Sequence, residues 1–163
     1  MSSSSTSSVS AKENLRATLI VFFGIVTGVF VFMLVAIFIN QVNGPVIPDL
    51  NKYYTVVIWC MAAVSIVCLI AGRKMLGKGT AAAKNSLNPL RDKLSQYRSS
   101  LIRYLVICEV PALAGVILFM FSGNFSFQLF SAVFLGFMLG VAPIRRRVVA
   151  ALELNESEQS ELE

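Results

Sequence analysis

The fold class this sequence predicts is all-α: an integral membrane four-helix bundle, both termini cytoplasmic, with the third helix extended into the cytoplasm. Three observations carry that expectation. Hydrophobic residues make up 56% of the chain and charged residues only 14%, whereas soluble domains carry about a quarter charged residues. Mean hydropathy is +0.72. Four apolar stretches reach the length of about 20 residues that a membrane-crossing helix needs. Hydrocarbon offers no outside partner to backbone polar groups, so each stretch must be helical. At 163 residues the chain suits one bundle, without a second large domain.

The elements follow in order. Residues 1–14 are serine-rich and read as a disordered tail. Residues 15–147 form the membrane domain, with spans at about 17–39, 54–71, 101–121 and 125–144. The first span is too long for the apolar part of a cleaved signal peptide, about 7–15 residues, and Phe38-Ile39-Asn40-Gln41 is no cleavage site. The loop from Asn40 to Tyr53 holds the turn signals Asn43-Gly44-Pro45 and Pro48-Asp49. Tyr53, Tyr54 and Trp59 suit an interfacial belt.

Gly72 to Asn85 contains glycines and a short alanine run, and reads as a loop. Asn88-Pro89 then supplies an N-cap followed by a first-turn proline. Leu87, Leu90, Leu94, Tyr97 and Leu101 recur at spacings of three and four, one apolar stripe of a helix. The prediction is a basic amphipathic helix over 89–100 that continues without a break into span three. Ser122-Gly123-Asn124 is a tight connection, so spans three and four should be antiparallel neighbours. Residues 148–163 form an acidic tail with a short helical start at 148–154, able to pair loosely with the basic segment.

Charge sets the orientation. Of the 14 Lys and Arg residues, only Lys52 falls on one side of the spans. Lys12, Arg16, the basic residues from Arg73 to Arg103, and Arg145 to Arg147 fall on the other. Lys/Arg excess marks the cytoplasmic side, which predicts an N-in/C-in protein of the bacterial inner membrane. Arg91, Lys93, Arg98, Arg103, Arg145, Arg146 and Arg147 are read as contacts for anionic lipid headgroups, with Arg103 snorkelling at the interface. No aromatic interleaving or nucleic-acid-binding motif accompanies them, so no nucleic acid partner is expected.

Several chemistries are excluded. The chain has no histidine, which removes histidine acid/base work, metal ligation and haem ligation. Cys60, Cys68 and Cys108 show no metal-site spacing and read as small buried hydrophobes. Phosphate-loop, dinucleotide, Gly-x-Ser-x-Gly and zinc-protease motifs are missing. No span contains a lysine for a retinal Schiff base. The expectation is a non-enzyme without metal or cofactor.

Glu109 is the one residue on which a chemical hypothesis rests. It lies about 12 Å along the helix from Leu101, and a carboxylate at the centre of a span costs about 2.5–3.5 kcal/mol. Desolvation favours its protonated form. Pro111 cannot donate to the carbonyl of Ile107, so Glu109, Pro111 and Ile107 form a candidate proton- or cation-holding group. Equally, a protonated Glu109 could hydrogen-bond a neighbouring helix at Thr27, Ser65, Ser131 or the freed carbonyl. Arg103 precedes Glu109 by six residues and points to the opposite side of the helix.

Small residues recur at helix-packing spacing: Gly24 and Gly28 in span one, Ala112 and Gly115 beside Cys108 in span three, and Ala132, Gly136 and Gly140 in span four. They let backbones approach closely, and internal packing is the expected use, with a dimer contact as the alternative.

Two resemblances follow from these segments. Tyr97-Arg98-Ser99-Ser100-Leu101-Ile102-Arg103-Tyr104, Glu109-Val110-Pro111-Ala112 and Ser122-Gly123-Asn124 resemble a family of small uncharacterised bacterial four-span membrane proteins, a likeness that implies a class and no activity. Glu109-Val110-Pro111-Ala112-Leu113-Ala114-Gly115 is similar to the carboxylate segment of rotary ATPase proteolipid subunits, which implies an ion-binding role for Glu109. That family places its carboxylate on the last helix of a two-helix hairpin; here it opens the second hairpin. The leading expectation is a structural or accessory membrane component or homo-oligomer. The alternative is a small proton- or cation-linked transporter or channel centred on Glu109.

Overall fold

The computed structural model describes residues 5–86, 90–154, 156 and 159, with backbone alone for residues 5–12 and Arg91. Leu87, the expected helix start at Asn88-Pro89 and most of the acidic tail lie outside the described residues. Among the described residues the chain is all-α. The elements are α1 (Ser5–Asn43), a 3-10 turn (Pro48–Tyr53), α2 (Tyr54–Lys84), α3 (Leu90–Ser122), α4 (Phe125–Gly140) and α5 (Arg145–Leu152). Three segments, Glu13–Asn43, Pro48–Lys84 and Asp92–Ser122, are long and apolar enough to cross a membrane, and α4 with α5 makes a fourth if that bent pair is one span.

α3 is the hub. It packs against α1, α2 and α4, while α1 and α4 meet over a smaller area. The hub position follows from its composition, because α3 has a buried residue at nearly every turn: Leu90, Leu94, Tyr97, Leu101, Tyr104, Leu105, Cys108, Ala112, Val116 and Phe119. The stripe expected at Leu90, Leu94, Tyr97 and Leu101 is therefore the packed face. α1 contributes a narrower seam, Phe22, Val26, Val29, Met33 and Ala36, again at spacings of three and four. Its other sides carry exposed Ile20, Phe23, Val31, Leu34 and Phe38. α2 likewise exposes Val56, Trp59, Ile66, Val67 and Ile70. Soluble monomers rarely leave so much contiguous apolar surface uncovered; helices facing lipid do.

Three boundaries differ from the sequence expectation. α1 begins at Ser5, inside the stretch read as a tail. Once the apolar run has nucleated a helix, adding residues at its end costs little. The second difference is larger. Gly72 to Lys84, read as a loop, is helical and continues α2. Two of its three glycines, Gly72 and Gly79, serve close approach to α3. A Cβ on Gly72 would stand 3.1 Å from Tyr104 Cδ2, and one on Gly79 would overlap the Ser100 hydroxyl. Ala81 to Ala83 favour helix, and Ala83 is fully buried.

The third difference is the fourth span, expected over 125–144. Its helix stops at Gly140, and α5 departs at 69°. Pro143 has no N–H and disfavours helical geometry at the residue before it. Sixteen residues of α4 span about 24 Å, short of the roughly 30 Å hydrocarbon core. Arg147 of α5 folds back to donate to the Gly140 carbonyl, which satisfies an orphan acceptor at the helix end. α5 begins three residues earlier than the helical start expected at 148. It packs Val148 and Leu152 inward, and the Lys84–Glu153 ion pair, 2.6 Å, ties its end to α2. Both side chains are well exposed, so the pair contributes little.

The opposite end of the bundle is closed by a polar knot. Val46 and Ile47 donate backbone N–H groups to the carbonyls of Met120 and Phe121. Asn40 donates to the Phe119 carbonyl at 2.9 Å and Asn51 to that of Ser122 at 2.8 Å. These bonds satisfy carbonyls that the end of α3 leaves without helical partners. Asn124 caps α4 by accepting from the Ser126 N–H at 3.1 Å. Gly123 turns the corner at φ +69°, with Pro45 atoms 3.2 and 3.3 Å from where a Cβ would stand. Gly123→Ala is expected to cost about 1–2 kcal/mol through left-handed backbone geometry, read as an earlier midpoint in detergent unfolding. An unchanged midpoint would show that the corner relaxes freely.

Candidate functional site

Glu109 sits on the flank of α3, half-buried, between the packed stripe and the exposed residues Val106 and Val110. Among the described residues it makes no hydrogen bond and no ion pair. The groups expected as its partners are placed elsewhere. Ser131 donates its hydroxyl to the Ala112 carbonyl at 2.7 Å. Ser65 is buried with its hydroxyl unpaired among the described residues. Thr27 is exposed on α1.

The side chains of Ile107 and of Pro111, whose missing N–H leaves the Ile107 carbonyl without its helical donor, leave α3 on sides other than that of Glu109. Successive residues turn by about 100°, so side chains two apart lie on nearly opposite sides of a helix. Ile107 approaches α2, with Cγ2 3.6 Å from where a Cβ on Gly72 would stand. Pro111 is fully buried. α3 passes through Pro111 unbroken, because the neighbouring helices fix its course.

The small-residue stripes divide into two sets. Ala112 and Gly115 are buried, and Gly115 meets α4 so closely that a Cβ there would lie 2.5 Å from Ser131 Oγ and 2.7 Å from the Phe127 carbonyl oxygen. Gly24, Gly28, Gly136 and Gly140 instead have nothing within 4 Å of an added Cβ, and Ala132 is exposed beside them. Internal packing was the expectation for all of them, and these five do not serve it. The reason is visible in the seams. α1 turns Phe22, Val26 and Val29 inward and α4 turns Phe127, Phe134 and Met138 inward, which leaves their glycines on the opposite faces.

Among the basic residues, Arg103, Arg145, Arg146 and Arg147 are exposed and Lys93 and Arg98 half-buried. Arg147 caps α4, and Arg145 donates to the Gln159 carbonyl at 3.2 Å. The Arg91 side chain lies outside the described residues. Arg73, absent from the expected headgroup set, has its guanidinium carbon 5.8 Å from the Phe137 ring centre, a cation–π distance.

Sequence reasoning also passed over Gln128. It is 2% exposed and donates Nε2 to the Met33 carbonyl of α1 at 3.2 Å, while its Oε1 is buried without a partner among the described residues. The signal was present: an amide inside an apolar helix points to an interhelical bond. With this geometry in hand, the chain was compared with known families, curated proteins and solved structures, and it matches none of them.

Proposed function

We propose that this chain is a non-enzymatic, multi-pass component of the bacterial inner (plasma) membrane, with both termini cytoplasmic, that assembles with further copies of itself. The observation that carries the reading is Glu109: a carboxyl group midway along the hub helix, half-buried, with no hydrogen bond or ion pair among the described residues. A lipid-facing carboxyl without a partner is costly, and an adjoining subunit removes that cost by supplying one. The uncovered faces at Gly24/Gly28 and Gly136/Gly140 offer surfaces on which helices of neighbouring chains can approach closely. The distribution of basic residues supports the orientation.

The test is assembly mass in mild detergent. The wild type should run as two or more chains. Glu109→Leu should weaken association by about fivefold to thirtyfold, the equivalent of an interhelical hydrogen bond of about 1–2 kcal/mol. A wild-type monomer at every protein-to-detergent ratio would overturn the reading. The same unpaired carboxyl also favours a second reading, a proton- or cation-linked transporter. Proton or sodium flux into liposomes that vanishes in Glu109→Gln would support it, and flux indifferent to that change would sink it.

A further inference from the structure

We infer that the cleft between α2 and α4 is a binding site for the phosphate headgroup of an anionic phospholipid. The inference rests on the membrane-spanning reading above and goes beyond it by naming a site and a ligand. The cleft has a volume of about 390 Å³ and is lined by Arg73 and Gly77 of α2, Tyr104 of α3, Phe137 and Gly140 of α4, and Val141 among others. No carboxylate lines it, and Arg73 makes no ion pair among the described residues. Its guanidinium carbon lies 5.8 Å from the Phe137 ring centre, and Tyr104 lines the same cleft. A planar guanidinium offers N–H donors in a fork suited to phosphate oxygens.

Depth along the helices points to a lipid as the source of that phosphate. Arg73 is the first charged residue after the uncharged run of α2, and Gly140 ends α4 five residues before Arg145 to Arg147. The cleft thus lies where apolar helix gives way to basic segment, the level at which basic pockets between helices hold anionic headgroups. One wall of the cleft is apolar, with Phe137 and Val141, and Val133 and Leu139 are exposed along α4, where acyl chains can run. The mouth is open on both sides: an added Cβ on Gly77 or on Gly140 would meet nothing within 4 Å.

The experiment is native mass spectrometry of the full chain released from detergent, with phosphatidylglycerol and phosphatidylcholine as competing probes. The wild type should retain one phosphatidylglycerol about tenfold over phosphatidylcholine. Arg73→Gln should abolish that preference, and Gly77→Leu, which fills the cleft and leaves every charge in place, should reduce it several-fold. Lys52→Gln, a charge at the opposite end of the bundle and outside the cleft, should retain it. A preference untouched by Arg73→Gln, or lost equally in Lys52→Gln, would overturn the site. Inorganic phosphate displacing the lipid at millimolar concentration would overturn the lipid assignment. Failure of the wild type to insert into vesicles of either lipid would instead count against the membrane reading, so the two failures are distinguishable.

Discussion

Replacing Gly115 with valine is expected to cost about 3 kcal/mol of unfolding free energy, the upper part of the range for overpacking a tight interface. Gly115 lies where α3 crosses α4. Any β-carbon there falls 2.5 Å from Ser131 Oγ and 2.7 Å from the Phe127 carbonyl oxygen. The first of these atoms could rotate aside only by abandoning its bond to the Ala112 carbonyl. The second is backbone and cannot rotate at all. Removing the hydroxyl with Ser131→Ala should therefore rescue Gly115→Val only in part. Titration with a denaturing detergent, followed by circular dichroism, measures both variants. A Gly115→Val protein as stable as the wild type would mean that the α3–α4 seam is looser than described. Gly136→Ala, on the open face of α4, is the contrast. It should leave monomer stability unchanged or raise it by up to about 1 kcal/mol through helix propensity.

Gly79→Ala should destabilise the α2–α3 seam by about 2 kcal/mol, with a distinguishing feature. The atoms that the new β-carbon meets most closely belong to the Ser100 side chain: its hydroxyl, which it would overlap, and its Cβ at 2.5 Å. The next contact, Ser100 Cα, is 3.8 Å away and is ordinary van der Waals contact. Ser100→Gly should therefore restore most of the loss, apart from about 0.5 kcal/mol for replacing serine by the poorer helix former glycine inside α3. Rescue of most of the loss at Gly79 and a smaller share at Gly115 is the expected pair of results. If Gly79→Ala unfolds like the wild type, Gly72 to Lys84 does not pack as a continuous helix on α3.

These two glycines also mark how far the sequence could be read. Gly115 was legible as a packing position from its spacing with Ala112. Gly79 was not, because glycine in a polar stretch signals a loop as readily as a close helix contact. The contact that makes α2 continuous at that point comes from Ser100, a residue distant in the chain. Glu109 was legible as the exceptional residue from composition alone. Its placement on the flank of α3, half-buried beside the packed stripe, required the packing of α1, α2 and α4 around the hub. Arg73 looked like one basic residue among many until Phe137 and Tyr104 were brought against it.

By itself the sequence determined the all-α class, the apolar helices of membrane-crossing length, the unbroken α3 and its packed stripe. Each of these depends on the local count and periodicity of apolar side chains. Tertiary structure alone decided that α3 is the hub, that α2 runs on to Lys84, and that the glycines of α1 and α4 face outward. The physical reason is common to all three. A helix surface has several faces of similar apolarity in a chain this hydrophobic, and only the shapes of the neighbouring helices select which face is buried.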